Sequence, residues 1–213
     1  MKTSLLAFAL CLLLGLAPTP GQANTTKSFD VSIDTTALAG TSGYLAFDLV
    51  AGSPASTSSV SVIDFLSTGT LGSSSSAGDA LGSLSAPPLV LTASTFYSGF
   101  LQGIDFGAGF TSFRLDLSAA YDASAIPDSF AFFLLDATQT PIETSDPTGA
   151  GALFVIDLDA VVNPQVFDSP LAQAALTLVP EPASVLMMLA GLGLLLAWRR
   201  PLAARSGNRE AAS

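Results

Sequence analysis

Nearly all the side chains in this sequence that could do acid–base or metal chemistry are aspartates. Between residues 24 and 178 lie fourteen Asp and Glu143, against two bases, Lys27 and Arg114. Paired carboxylates can run glycosidase chemistry, and hard oxygen donors suit Ca²⁺. Asp157-x-Asp159, or Asp122 with Asp128, are the candidate cation ligands. Neither an EF-hand loop nor a glycine–aspartate repeat accompanies them. The expectation is therefore no resident cofactor, with Asp157 and Asp159 as the residues to hold Ca²⁺ if one binds. Most of the aspartates fall at alternate positions of short apolar runs or within turns, where Asp faces water or caps the turn.

The residue types that are missing exclude more. There is no histidine, and the single cysteine is Cys11. Ser-His-Asp and Cys-His catalysis, histidine metal sites, zinc fingers and disulfide frameworks are all ruled out. A Ser-Lys dyad would need Lys27, which the sequence places in a disordered N-terminal stretch. Aromatic rings to hold a sugar are few: Tyr44, Tyr97 and Tyr121, with the one tryptophan at Trp198. Arg114, between Phe113 and Leu115, should point away from both and pair with an Asp across a strand. With a formal net charge of −10, the chain repels phosphate backbones, so no nucleic-acid partner is expected. The protein is not expected to be an enzyme.

The elements that must position these residues read as strands. Phe29, Val31 and Ile33 alternate with polar residues, as do Leu45, Phe47 and Leu49, then Phe113, Leu115 and Leu117, then Phe154, Ile156 and Leu158. Val60 and Val62 alternate before Ile63 and Phe65 shift phase, which predicts a bulge. Residues 130–135 are continuously apolar, as in a central strand. Residues 51–59 and 138–151 read as loops. Residues 67–88 also read as loop, with a weak strand over 81–84, since so long a structureless loop is unusual. Residues 167–178 are a last strand or a linker. Seven to ten short strands with this punctuation predict an all-β fold, a single β-sandwich or jelly-roll-like domain over residues 24–178.

Both ends of the chain differ from the middle. Lys2, an apolar run over 5–16, the helix-breaking Pro18 and Pro20, and Gly21 and Ala23 at −3 and −1 form a secretory signal peptide over 1–23, cleaved after Ala23. This implies signal peptidase and the general export machinery as partners. Leu10 before Cys11 does not suit lipidation, and cleavage leaves a mature chain without cysteine. At the other end Val179-Pro180-Glu181-Pro182 precedes sixteen uncharged residues, 183–198, and then Arg199 and Arg200. As a helix that run spans about 24 Å at ~1.5 Å per residue, close to one hydrocarbon core. Trp198 and the arginines suit its cytoplasmic edge, leaving 201–213 as a basic cytoplasmic tail.

Pro180-Glu181-Pro182, the short apolar helix and the basic cluster, in that order over 179–200, resemble the PEP-CTERM sorting signal. The resemblance implies recognition by exosortase, a membrane cysteine protease. It also implies cleavage near Pro180-Glu181-Pro182 and delivery to the surface or exopolysaccharide of a Gram-negative bacterium. The extension after Arg200 is longer than is usual for such tails. Physically, the two prolines deny the segment helical hydrogen bonds and hold it extended for a protease, and Glu181 is then a recognition residue. Residues 34–47, Leu101-Gln102-Gly103 with Phe106-Gly107, and Phe130 with Leu134-Leu135-Asp136 are similar to a pattern in one group of such proteins. Their β-rich extracellular domain is uncharacterised, so this likeness implies a shared fold and no activity.

The functional expectation is an exported structural or adhesive sandwich of the cell surface or biofilm matrix. A carbohydrate- or calcium-binding module of the exopolysaccharide matrix is the alternative. A carboxylate-pair polysaccharide hydrolase is the second alternative.

Overall fold

A computed structural model describes residues 24–53, 56–120, 126–158, 162–180 and 191–192. The expected signal peptide, the basic tail over 201–213 and most of the apolar run over 183–198 lie outside these residues. Gly191 and Leu192 are helical. Among the described residues no helix is long and apolar enough to cross a membrane. The chain divides into two units, Met1–Val179 and Pro180–Ser213, and the strands all belong to the first.

Twelve strands follow one another: β1 (Asn24–Asp34), β2 (Ser42–Val50), β3 (Ser59–Ser67), β4 (Thr70–Ala77), β5 (Ala80–Leu81), β6 (Leu89–Thr92), β7 (Tyr97–Asp105), β8 (Phe110–Ala120), β9 (Asp128–Asp136), β10 (Phe154–Leu158), β11 (Pro164–Val166) and β12 (Gln173–Val179). They form two six-stranded sheets, ordered β12-β1-β8-β3-β6-β5 and β11-β10-β9-β2-β7-β4. Every ladder is antiparallel. The pairs β1·β8, β2·β7 and β3·β6 are nested, as if one long hairpin had been wound over itself. Strands β9 to β11 widen the second sheet beside β2, and β12 widens the first beside β1.

Alternation puts one row of each strand into the core. Phe29, Val31, Ile33, Val60, Val62, Leu115 and Leu117 of the first sheet are buried against Leu45, Phe47, Leu49, Phe130, Phe132 and Leu134 of the second. Aromatic rings bridge the layers. Phe113 of β8 lies 5.5 Å, centroid to centroid, from both Phe47 of β2 and Phe132 of β9. Phe132 and Phe154 stack at 5.2 Å. Edge-to-face and offset pairs of this kind add stability beyond area burial.

Several expectations need correction. The strand count is twelve among the described residues, above the seven to ten expected. The serine run of residues 67–88 forms strand β4, pairing with β7, and the short β5 covers Ala80–Leu81, so the weak strand expected over 81–84 is displaced. As an edge strand, β4 is not required to bury apolar side chains, so its sequence looks like loop. Lys27 does not lie in a disordered stretch; it sits in β1, opposite Leu117. Residues 130–135 do form an interior strand, but only Phe130, Phe132 and Leu134 are fully buried. The predicted bulge is present, with a register shift in β3 between Ile63 and Leu66 and Asp64 at φ 52°. Asp tolerates this left-handed geometry better than most side chains.

A second bulge has its own polar support. The β4 register shifts between Leu71 and Ser74. Gln102 of β7, 3% exposed, points inward there and donates Nε2 to the Gly72 carbonyl at 2.8 Å and to the Gly103 carbonyl at 3.0 Å. A buried amide thus satisfies carbonyls that the bulge removes from the ladder.

Candidate functional site

The first and last strands are neighbours and antiparallel, with Ser28 opposite Val179. The start of β1 and the end of β12 therefore lie at the same end of the sandwich. β12 is an edge strand, paired on one side to β1 and open on the other. Ala174 and Leu176 pack on the core, whereas Thr177 and Leu178 are exposed. Pro180 follows Val179, is exposed, and cannot donate to a ladder. The Pro-Glu-Pro segment thus starts where strand pairing stops. Ala23, Glu181, Pro182, Arg199 and Arg200 lie outside the described residues.

Two of the four candidate cation ligands, Asp128 and Asp157, fall among the described residues, on the neighbouring strands β9 and β10. Asp157 lies on β10 opposite Ser129, half-buried, and Asp159 and Asp122 lie outside the described residues. Asp128, buried at the start of β9, accepts a hydrogen bond from the Gly52 amide at 2.7 Å and another from the Ser56 hydroxyl, tying down the β2–β3 loop. Among the described residues no three acidic, histidine or cysteine side chains converge as a metal site.

Arg114 takes the cross-strand role expected of it. Its Nε donates to Asp30 Oδ1 at 2.8 Å, and Asp64 Oδ2 lies 3.9 Å from its Nη1. The hydrogen bond and charge of Asp30 raise its pKa further. Other aspartates fold their own turns. Asp136 accepts from the Thr138 hydroxyl and from the amides of Thr138 and Thr140, which hold its carboxyl below the ordinary range. At Asp146 burial pulls the carboxyl upward. Hydrogen bonds from the hydroxyl and amide of Thr148 and the amide of Ala152 outweigh it, and the pKa is lowered.

The outer faces of the two sheets differ in kind. The first presents Ser28, Asp30, Ser32, Ser112, Arg114 and Asp116. On the second, the rows Phe133–Ala46–Leu101 and Ala131–Asp48–Gly99 run across β9, β2 and β7. Asp48 is half-buried on this apolar face, and burial raises its pKa despite the hydrogen bond it accepts from the Tyr97 hydroxyl at 2.7 Å. Burial, the same bond and the charge of Asp48 in turn push the Tyr97 phenol well above its usual value. Tyr97 was legible as one of three domain tyrosines. Its pairing with Asp48 was not, because they are 49 residues apart in sequence and only the β2·β7 register joins them.

The described residues define an all-β protein of two antiparallel sheets whose last edge strand runs into a Pro-Glu-Pro segment. Residues 178–200 match the PEP-CTERM protein-sorting motif. The match begins two residues inside β12, at Leu178, opposite Phe29 of β1. No curated protein and no solved structure matches the chain.

Proposed function

We propose that the protein is exported and held in the inner membrane by residues 183–198. An exosortase-type protease then processes it near Pro180-Glu181-Pro182, and it acts as a non-catalytic structural or adhesive sandwich at the cell surface or in the exopolysaccharide matrix. The observation that carries this reading is the sorting motif over 178–200, which starts in the final ladder pairs of an edge strand. Pro180, just beyond those pairs, is exposed, and prolines resist helical hydrogen bonding, which suits presentation to a protease. Only Pro180, Glu181 and Pro182 separate β12 from the apolar run in sequence. The sandwich itself is held by its core and its turn hydrogen bonds, which suits an export route that leaves no cysteine for disulfides.

A non-catalytic role is supported by how the acids are used. Asp30 is engaged with Arg114, Asp34, Asp136 and Asp146 hold turns, and Asp128 holds a loop. Carboxylate-pair hydrolysis needs two acids facing across one bond, whereas the groove beside Asp48 is lined by no second carboxylate among the described residues.

Mass spectrometry of the C-terminus of the natural protein, from cell-surface and medium fractions, tests the sorting reading. A terminus between residues 179 and 182 is the expected result. A chain ending at Ser213 and confined to the inner membrane would overturn it.

A further inference from the structure

We propose that the outer face of the second sheet holds a binding site for a neutral glycan, with the Tyr97 ring as its platform and the Asp48 carboxylate as its hydrogen-bond acceptor. The proposal deepens the adhesive reading above and rests on it for the ligand's setting.

The posture of Tyr97 is the first observation. In the ladder Asp48 stands opposite Gly99 and Val50 opposite Tyr97. The Tyr97 side chain leans along its own strand over Gly99 to reach Asp48. A Cβ at Gly99 would stand 2.2 Å from the Tyr97 hydroxyl and 2.6 Å from its Cζ, so only glycine leaves room for the ring to lie down. One side of the ring is covered by the sheet, and the residue is still 40% exposed. A pyranose offers the complementary shape, a C–H face to lie on the ring and a rim of hydroxyls.

The polar partners stand at the platform's edge. Asp48 Oδ1 accepts from Tyr97, and Asp48 makes no other hydrogen bond among the described residues. Its second oxygen is available for a sugar hydroxyl, and O–H···O⁻ bonds are among the stronger kinds. A groove of about 270 Å³ runs from there across Ala46, Gly99 and Leu101 to Ser75 of β4. Few polar groups set in an otherwise apolar concavity are the general form of a small-molecule site.

The remaining surface selects among ligands. Fifteen acids against two bases over residues 24–178 repel uronates, phosphates and anionic lipid headgroups. A peptide added by strand pairing would take the free edge of β4, whereas Asp48 and Tyr97 stand on β2 and β7, interior strands whose ladders are filled. A neutral glycan needs neither opposite charge nor an open ladder.

The test is calorimetric titration of the natural exported protein, in whichever C-terminal form it is recovered, with maltohexaose, cellohexaose, xylohexaose and mannohexaose, and with tetragalacturonate as the acidic comparator. At least one neutral oligosaccharide should bind, and tetragalacturonate should bind at least tenfold more weakly. Tyr97→Ala and Asp48→Asn should each weaken binding tenfold or more, with Tyr97→Phe in between, since it keeps the ring and loses the hydroxyl. Arg114→Gln, on the opposite sheet, should bind as the parent does. Cooperative melting of each variant, well above the titration temperature, would keep lost binding from being read as lost folding. Failure of all four neutral sugars to bind, equal binding of the acidic one, or undiminished binding by a folded Tyr97→Ala protein would each overturn the proposal. None of these results depends on tail cleavage, so the site and the sorting reading can fail separately.

Discussion

Arg114 and Asp30 stand directly opposite in the β8·β1 register, and the guanidinium Nε reaches the carboxylate at 2.8 Å. Asp64, pushed outward on the β3 bulge, and Asp116, two residues along β8, add negative charge around the same cation. Both partners of the pair are solvent-exposed, and exposed pairs contribute little because water and salt screen them. Arg114→Gln should lower the melting temperature by no more than a few degrees at low ionic strength, and by less in 0.5 M salt. Thermal melts at two salt concentrations check this.

Phe47 is fully buried where the sheets meet, within 5.0 Å of Phe132 and 5.5 Å of Phe113. Truncating it removes rings' partners from both layers and leaves a void. Phe47→Ala should cost about 3–5 kcal/mol, a large part of the ~5–15 kcal/mol that holds a typical domain. Urea unfolding measures the loss, and Phe47→Leu should lose markedly less.

Asp48 and Asp146 should respond to pH with opposite signs. Burial raises the folded-state pKa of Asp48 above 3.8, so the folded protein holds that proton more tightly than the unfolded chain. Its contribution is present below the ordinary carboxylate range and is lost as pH rises through the raised value. Asp48→Asn removes the buried charge and keeps an acceptor for Tyr97. The variant should be at least as stable as the parent at pH 7, and its advantage should shrink toward pH 3. Urea titrations at the two pH values test it.

Asp146 runs the other way. Its pKa is lowered by hydrogen bonds from Thr148 and Ala152 that outweigh burial, so its contribution is present above about 3.8 and fades as pH falls. Asp146→Ala should cost about 1–3 kcal/mol at pH 7, since it orphans amides of the 146–152 turn. The parent and variant unfolding curves should converge in acid.

Calcium should leave the melting temperature nearly unchanged. Asp128 is engaged by Gly52 and Ser56, and Asp157 faces Ser129 on a strand. A true site would stabilise by ~2.7 kcal/mol at a hundredfold excess over its dissociation constant. Melts with Ca²⁺ and with chelator, at low ionic strength, distinguish the two.

Much of the fold was legible because burial on one face imposes period two. Phe29-x-Val31-x-Ile33 and Phe113-x-Leu115-x-Leu117 announced β1 and β8, and the phase break at Ile63 announced the bulge. Strand β4 was not legible because an edge strand of serines buries too little to leave a pattern. Strand β7 was obscured by Gly99 and Gly103, which carry no side chain to mark a face. The sorting motif was readable from local order alone, since Pro-Glu-Pro, apolar run and Arg-Arg are contiguous.

The sequence by itself determined the class of fold, the acidic surface and the C-terminal sorting motif. Each follows from local composition or spacing and requires no distant contact. Only the tertiary structure decided which residues meet. The nested winding of β1·β8, β2·β7 and β3·β6 is a choice of long-range partners that period-two patterns leave open. That winding brings Arg114 to Asp30, lays Tyr97 over Gly99 against Asp48, and sets the start of β1 beside the end of β12. Alternation says which side of a strand is wet, but only strand register, fixed by packing of the whole core, says what stands opposite.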